Sequence, residues 1–580
     1  MCRGGKIMEK YVSEVIKEEY KEWKPGQVIF LSAHTGAGKT YFILNKLVKF
    51  SAIEGKKILY LVNRSILKEQ IEEKVNTEIK CRLRSDRNIT SENLANVINV
   101  KLYQTIENEC KTNSDFGSIR QEKYDFIIAD ECHYFWEDST FNTCTQLSYD
   151  WIMSWKENTT LTFISATIDR MKDYILQDNN IHEATEEEKN RSGAYAMRGD
   201  LDIRDVVKIY QTEADYSYVK VSLLKKVDEI SELMEKDKAK WLIFVDSIEN
   251  GKKIEKALRE KEIESAFITA ESKKDRELSG TLQIISTREK YDKKVLIATS
   301  VMDNGISIKD LDLRKFIIMA MTREQFIQML GRKRVTSDME KLEVYLLLRE
   351  KECFRKCLVE CEKRQRFISE AEKYNFQMDI SVVLEQILES NVFLQCVKNI
   401  CYVDQRKVVF SKLAIAQYDY LYKYYKGMVE RFEKEGGTAF LREQFEWLGR
   451  KEAEQEIKEL TKTLFDQISK IIEEYKNREL NAEENKEMRE RIKSYISQVI
   501  GCCADHEGYP NEEIKSIMKE LGKPSNERTL SNKNFNKIME ILNLNYQMTK
   551  PNRSSFLISD KNIEEEIDKD IKIDKKSLEE

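Results

Sequence analysis

Proline is nearly missing from this chain: four of its 580 residues are proline, and none lies between Pro25 and Pro510. Proline removes a backbone donor and breaks helices and central strands, so no such break interrupts that span. Histidine is also scarce, at four residues, and the 12 cysteines form no CxxC pairs with histidine partners. Both facts argue against a zinc site. No run reaches the roughly 18 consecutive apolar residues of a membrane span, so no membrane segment is expected. Residues 1–22 are charged throughout and lack the apolar core of a signal peptide. A cytoplasmic protein with reduced thiols is therefore expected. Positive charge is not in excess either: 97 Lys and Arg face 102 Asp and Glu, for a net charge of -5. That excludes a uniformly basic surface but leaves room for one groove lined with Lys and Arg.

The chain does contain enough apolar side chains, 41% of the total, to build several cores, and its length suggests two to four domains. From about residue 27 to 345, short β-rich runs alternate with amphipathic segments. The runs are 28–31, 58–62, 125–129, 161–165, 241–245, 294–298 and 315–319. This alternation predicts parallel strands with crossover helices, an α/β fold. Residues 170–238 separate two such sets, and 205–224 alternates weakly enough to add strands or form a connecting excursion. Past 350 helical patterning takes over. Ile457, Leu460, Leu464, Ile468, Ile471 and Tyr475 recur at three- and four-residue steps in a stretch, 450–500, without Gly or Pro, which predicts one long amphipathic helix or two. Cys353, Cys357 and Cys361 share one helix face and read as part of a buried apolar surface. The residues from 559 are mostly charged or Ile and predict a disordered tail.

The first chemical motif is Ala33-His34-Thr35-Gly36-Ala37-Gly38-Lys39-Thr40, between the strand 28–31 and the helical segment 41–50. A strand, a glycine-rich loop and a helix form the context of a phosphate-binding P-loop. Glycines let backbone amides turn towards phosphate oxygens, and the helix N-terminus adds positive partial charge. Thr35, Gly36, Ala37, Gly38, Lys39 and Thr40 are the expected nucleotide contacts. Lys39 should reach the β- and γ-phosphates, and Thr40 should ligate Mg²⁺.

About 90 residues on, the strand 125–129 runs into Asp130-Glu131-Cys132-His133. Carboxylates at the end of a buried strand are costly unless a cation or water pairs with them, and Mg²⁺ with ATP supplies that partner. Asp130 is expected to hold the metal, directly or through water, and Glu131 to polarise the attacking water. His133 is placed either to sense the nucleotide or to link to a second domain.

Together these motifs resemble the superfamily 2 helicases of the DExH spelling, in which two RecA-like domains clasp ATP between them and nucleic acid across them. The resemblance covers residues 25 to 345. Asn63-Arg64-Ser65 resembles the family's motif Ia, although the usual proline is missing and Asn63 stands where the family has Thr. Leu102-Tyr103-Gln104-Thr105 resembles motif Ib, and Ser165-Ala166-Thr167 matches motif III. The resemblance implies that Arg64, Ser65, Tyr103 and Gln104 lie at nucleic acid. It also implies that Ser165 and Thr167, with His133, couple hydrolysis to domain movement.

In the second set, Phe244-Val245-Asp246-Ser247 resembles motif IV, and the stretch from Ala298 to Ser307 resembles motif V. Ser247 and Thr299 would then contact the nucleic-acid strand, and Gly305 would sit near ATP. Many relatives carry Asp two residues after that glycine; this chain has Ser307. Gln328-Met329-Leu330-Gly331-Arg332-Lys333-Arg334 resembles motif VI, which implies a nucleotide contact at Gln328 and an arginine finger at Arg332 or Arg334. These arginines are two apart, where the usual spacing is three. No aromatic–glutamine element of the DEAD-box type precedes the P-loop, since Gln27 lies too close to it, and this argues against an RNA-type DEAD-box protein and for looser base selectivity.

The expected organisation is an N-terminal helix (1–24), a first RecA-like domain (25–170), a connecting or accessory segment (171–238) and a second RecA-like domain (239–348). A mainly α-helical C-terminal region (349–558) and a charged tail (559–580) follow. In the helical region, Tyr418, Tyr420, Tyr422, Lys423, Tyr424, Tyr425 and Lys426 interleave aromatic and basic residues. They read either as a base-stacking surface or as the buried face of a helix. Residues 512–542 predict a helix–turn–helix that either packs or touches DNA. No nuclease constellation is visible in this half.

The resulting expectation is an ATP- and Mg²⁺-dependent helicase or translocase acting on DNA, with RNA less favoured. The C-terminal region offers a place for a protein partner. The alternative is a nucleic-acid-sensing ATPase switch that gates a partner without processive unwinding. The Lys-, Glu-, Ile- and Asn-rich composition points to an AT-rich bacterium or its phage. The motif spelling resembles helicases of mobile elements or phage-defence loci.

Overall fold

Strands that are apolar at every position need cover on both faces, and parallel sheets flanked by helices supply it. The computed structural model describes residues 11–112, 122–183, 201–224, 226–235, 237–269, 272, 276–299, 308–333, 341–372, 377–379, 400–404 and 407–450. Beyond these it describes chiefly 453–457, 471–481, 483–488, 546–549 and 556–560. Among the described residues no helix is long and apolar enough to cross a membrane. By its contacts the chain divides into two compact units. The first comprises Met1–Ser222, Val227–Leu347 and Arg355–Gly427; the second comprises Leu223–Lys226, Leu348–Phe354 and Met428–Glu580.

The first unit holds two six-stranded sheets. In the first sheet β1 is Val28–Ser32, β2 Ile58–Val62, β3 Ile98–Leu102, β4 Phe126–Asp130, β5 Thr160–Ser165 and β6 Val207–Gln211. They lie in the order β3-β2-β4-β5-β1-β6. The central strands β2, β4 and β5 are buried along their whole length. Phe30 and Phe163 stack across β1 and β5 with ring centroids 6.0 Å apart. Each buried ring of this kind contributes roughly 2–3 kcal/mol. The pairing of β1 with β5 sets Ser32 beside Ser165, and that of β4 with β5 sets Asp130 beside Ile164. The loops after β1, β4 and β5 therefore open along one edge, the crevice where α/β sheets bind ligands.

In the second sheet β7 is Val219–Leu224, β8 Lys240–Phe244, β9 Ser265–Ile268, β10 Val295–Ala298, β11 Leu313–Ile318 and β12 Leu342–Leu347. Their order is β9-β10-β8-β11-β12-β7. Every run expected as a strand is one. The strands that the sequence reading passed over or left undecided, β3, β6, β7, β9 and β12, are mostly outer ones, such as Val-Lys-Ile-Tyr-Gln in β6, exposed at three of its five positions. The segment 171–238, expected as connecting or accessory, supplies one of these outer strands to each sheet. The expected N-terminal helix appears as a short helix, Val12–Ile16, and a 3₁₀ turn, Glu19–Glu22.

After the second sheet comes the helix Lys351–Glu372. The strands Gln377–Asp379, Cys401–Asp404 and Lys407–Phe410 then form a small antiparallel sheet that was not expected in a helical region. The helix Lys412–Glu435 follows. Residues 355–427, expected in the C-terminal part, pack in the same unit as the two sheets. Cys361 is buried, whereas Cys353 and Cys357 are half-buried, so the cysteine face is covered only in part.

In the second unit Phe354 lies between Phe432 and Phe440, at 5.4 and 4.8 Å between ring centroids. The run expected over 450–500 as one long helix or two is interrupted where it is described; Leu464 and Ile468 lie outside the described residues. A turn containing Asn477, at φ 60°, leads into the strand Glu479–Leu480, which pairs with Phe556–Asp560. The charged tail expected from 559 thus begins inside a strand. Residues 561–580 lie outside the described residues, as does the expected helix–turn–helix at 512–542 apart from Asn536.

Candidate active site

The P-loop leaves β1 and turns at Gly36 and Gly38, with φ of 90° and 82°, a backbone region that side chains avoid. The amide of Val12 donates to the carbonyl of Ala37 at 2.9 Å, so the N-terminal helix braces the loop from outside. Gly38 opens a helical turn, Lys39–Phe42, which runs on through a wide turn, Ile43–Leu47, into Val48–Glu54.

Lys39 Nζ stands 3.1 Å from Glu131 Oε1. Glu131 is itself in the left-handed region, at φ 51°, a strained conformation of the kind that collects at functional sites. Its other oxygen lies 3.3 Å from Nδ1 of His133. Burial pushes the Glu131 carboxyl up, but Lys39, His133 and Arg332 outweigh it and hold the group well below the usual carboxylate range. Its neighbour behaves the opposite way. Burial and the adjacent Glu131 raise the Asp130 carboxyl, and Lys39 and Tyr60 offset this only in part. The two adjacent carboxylates thus differ in proton affinity, and Glu131 is the more firmly ionised of the two.

A cavity of about 420 Å³ opens here, lined among others by Gly36, Lys39, Thr40, Asp130, Glu131 and Arg332. The first five come from the first sheet's loops and Arg332 from the second's. Gly331 sits so close to the P-loop that a Cβ on it would stand 2.6 Å from Thr35 Oγ1. Oxygen donors from Thr40 and Asp130 suit a hard divalent cation. The raised affinity of Asp130 for a proton marks a negative charge that such a cation would relieve.

Across this cleft the second sheet's helix Arg323–Leu330 meets the first. Gln328 Nε2 donates to Thr167 Oγ1 at 3.1 Å and lies 3.4 Å from His133 Nδ1. His133 Nδ1 is also 3.1 Å from Ser165 Oγ. The carbonyls of Gln328 in turn accept from Arg332, its main chain from Nε at 2.9 Å and its side chain from an Nη at 3.0 Å. Gln328 is therefore a bridge between Arg332 and the His133–Ser165–Thr167 group. It was expected as a nucleotide contact; the cavity at the P-loop is lined by Arg332 and not by Gln328 itself.

Residues 6–170 match the family described as type III restriction enzyme, res subunit, and residues 225–334 match the helicase conserved C-terminal domain. The chain carries the two-domain core of a superfamily 2 helicase. Among solved structures it is similar to Escherichia coli DEAH/RHA helicase HrpB, at 14% identity and a TM-score of 0.34, over 57% of this chain and 41% of that one. The chain thus spans less than half the length of HrpB. It is also similar to S. cerevisiae Dbp5 bound to RNA and ADP BeF3, at 15% identity and a TM-score of 0.36, over 55% of this chain and 79% of that one. No curated protein matches it.

The positions expected at nucleic acid divide in the helicase core. Asn63 is 2% exposed, yet neither atom of its amide has a hydrogen-bond partner, and Arg64 Nε and Gln104 Oε1 are likewise unsatisfied. Gln104 Nε2 donates to the Asn63 carbonyl at 3.2 Å, which joins the ends of β2 and β3. Ser65 and Ser247 are exposed. Ser247 also caps the helix Ile248–Glu260, accepting from the amide of Asn250 at 3.2 Å. Thr299 is half-buried after β10, and its amide donates to Ile268 at 3.3 Å. Tyr103 requires correction. It is fully buried, stacks on Tyr134 with centroids 5.0 Å apart and donates to the Asp130 carbonyl at 2.8 Å, so no nucleic acid reaches it. Gly305 and Arg334 lie outside the described residues. Lys333, between the two candidate arginines, turns inward and donates to the Asp310 carbonyl at 2.7 Å. Tyr60 was missed. A tyrosine inside an otherwise aliphatic, wholly buried strand was the available signal, because its hydroxyl needs a partner there.

Proposed function

We propose that this chain is a DNA-stimulated translocase or helicase in which Lys39 holds the transferring phosphates and Glu131 accepts the proton of the attacking water. Arg332 stabilises the charge that develops at the γ-phosphate, from across the cleft. Mg²⁺, held by Thr40 and Asp130, would neutralise phosphate charge. The observation that carries this reading is the bridge from Arg332 through Gln328 to His133 and Thr167. It lets closure of the cleft and completion of the site be one event. The unsatisfied polar groups of Asn63, Arg64 and Gln104 gather at the ends of β2 and β3 and support a backbone contact there. DNA is favoured because residues 6–170 match a restriction-enzyme subunit family. In addition, Gln27 is occupied in a local turn, accepting from the amide of Lys24 at 3.0 Å. A place in a mobile element or phage-defence locus, in the cytoplasm, fits the composition.

ATP turnover measured alone and with single-stranded DNA, duplex DNA and RNA tests this. DNA should stimulate it at least about tenfold, and the effect should fall steeply as salt is raised. Lys39→Ala should remove both nucleotide binding and turnover. Stimulation by RNA alone would overturn the DNA assignment, and stimulation by none would overturn the motor.

A second reading, a switch that reports nucleic acid to a protein partner, has its own support. The helix Lys412–Glu435 crosses onto both sheets' neighbourhoods. Arg170 lies over the Tyr420 ring at 4.3 Å and 3.6 Å from Glu324, and the Tyr424 hydroxyl donates to the Met321 carbonyl at 3.0 Å. Tyr420 also packs against Trp136, just past the acidic motif. Of the tyrosines expected as a base-stacking surface or buried face, Tyr420 and Tyr424 thus pack onto the helicase core, whereas Tyr418 is buried against Phe367 and Phe410. Tyr420→Ala is expected to cut nucleic-acid stimulation about fivefold while basal turnover stays within about twofold. An unchanged stimulation ratio would remove the support for this linkage.

A further inference from the structure

The acidic motif is gripped by two buried phenols that the mechanism above does not use. Tyr60 on β2 is fully buried, and its hydroxyl donates to Asp130 Oδ2 at 2.5 Å. In the parallel pairing of β2 with β4, Tyr60 stands beside Ile128. The two-residue repeat of a strand therefore puts Tyr60, Ile128 and the Asp130 side chain on one face. Tyr103 approaches from the opposite face, where it packs with Ile127 and Ala129. The pairing of β4 with β2 ends at Ala129, and Tyr103 donates to the next carbonyl, that of Asp130, at 2.8 Å. One phenol thus sets the carboxylate and the other sets the main chain that carries it.

Packing alone does not account for these hydroxyls. Phenylalanine would fill either site without a buried donor to satisfy, and both donors converge on one residue. The remaining oxygen, Oδ1, accepts the amide of Glu131 at 3.0 Å. We propose that Tyr60 and Tyr103 are positioning residues that hold Asp130 in the geometry for a divalent cation. Tyr103 additionally stacks on Tyr134, whose hydroxyl is 3.3 Å from Gln104 Nε2. The clamp on the metal ligand is thereby continuous with the strand ends proposed to meet nucleic acid. The inference rests on the assignment of Asp130 as a metal ligand.

The test is Mn²⁺ binding to the full chain with ADP, followed by paramagnetic resonance, alongside the Mg²⁺ concentration that gives half-maximal ATP turnover. Tyr60→Phe should weaken Mn²⁺ binding about tenfold or more, as loss of outer-shell partners does. Tyr103→Phe should weaken it about threefold. Metal-free ADP binding should stay at the parent level in both, which also shows that the variants are folded. Unchanged Mn²⁺ affinity in both variants, with only a lower melting temperature, would overturn the inference and leave the phenols as packing. Should Tyr60→Phe fail to fold, Tyr103→Phe decides alone. Asp130→Asn separates the two levels. If it leaves Mn²⁺ affinity intact, the metal-ligand assignment fails; if it weakens binding and the phenol variants do not, the positioning inference alone fails.

Discussion

Glu131→Gln is expected to lower ATP turnover about a thousandfold while leaving nucleotide affinity within about twofold, which is the scale of a lost general base. The amide keeps the shape of the side chain but loses the charge that pairs it with Lys39 and His133, at 3.1 and 3.3 Å in the parent. It cannot take a proton. The loss of the negative charge also frees Lys39 to meet phosphate, so binding should not suffer. Single-turnover hydrolysis and nucleotide titration separate the two effects. Turnover at the parent's rate would remove Glu131 from the role of base. Loss of binding in step with turnover would make it a structural support of the P-loop.

The second large effect is expected at Arg332. Arg332→Ala should reduce nucleic-acid-stimulated turnover about a thousandfold, the lower end of what a transition-state arginine supplies. Arg332→Lys should recover little of it, because a lysine offers a point charge where the guanidinium offers a planar fork. The parent side chain is 4% exposed and is aimed by two bonds to Gln328. Its orientation therefore depends on the same residue that touches Thr167 and lies by His133. Nucleotide affinity should change much less than turnover, since the P-loop is untouched. Equal losses in affinity and turnover would show that Arg332 acts in the ground state. In Arg332→Ala, retained stimulation by nucleic acid would pass the finger's role to another residue.

The chemical centre was legible because its demands are local. Phosphate needs amides from a tight glycine turn at a helix start, so Gly36, Gly38, Lys39 and Thr40 stand together in the chain. The carboxylates of Asp130 and Glu131 announce themselves by ending an apolar strand. Most inner strands of both sheets were equally legible, since burial on both faces keeps them mainly apolar. Other features depend on which segments the fold sets side by side. Outer strands such as Val207–Gln211 carry polar residues because one side faces water, and so lose the apolar signature. Motif order placed Tyr103 at nucleic acid, whereas the stacking of Tyr134 on it buries it under Asp130. Gln328 reads as a nucleotide contact in sequence and becomes a bridge only where two sheets meet. Tyr60 meets Asp130, and Tyr420 meets Arg170, across separations that no spacing rule encodes. The sequence by itself determined the glycine turn and the paired carboxylates to which the proposed chemistry is assigned, because residue type and local backbone suffice for them. Only the tertiary structure decided what positions that chemistry, because positioning comes from contacts between segments distant in the chain.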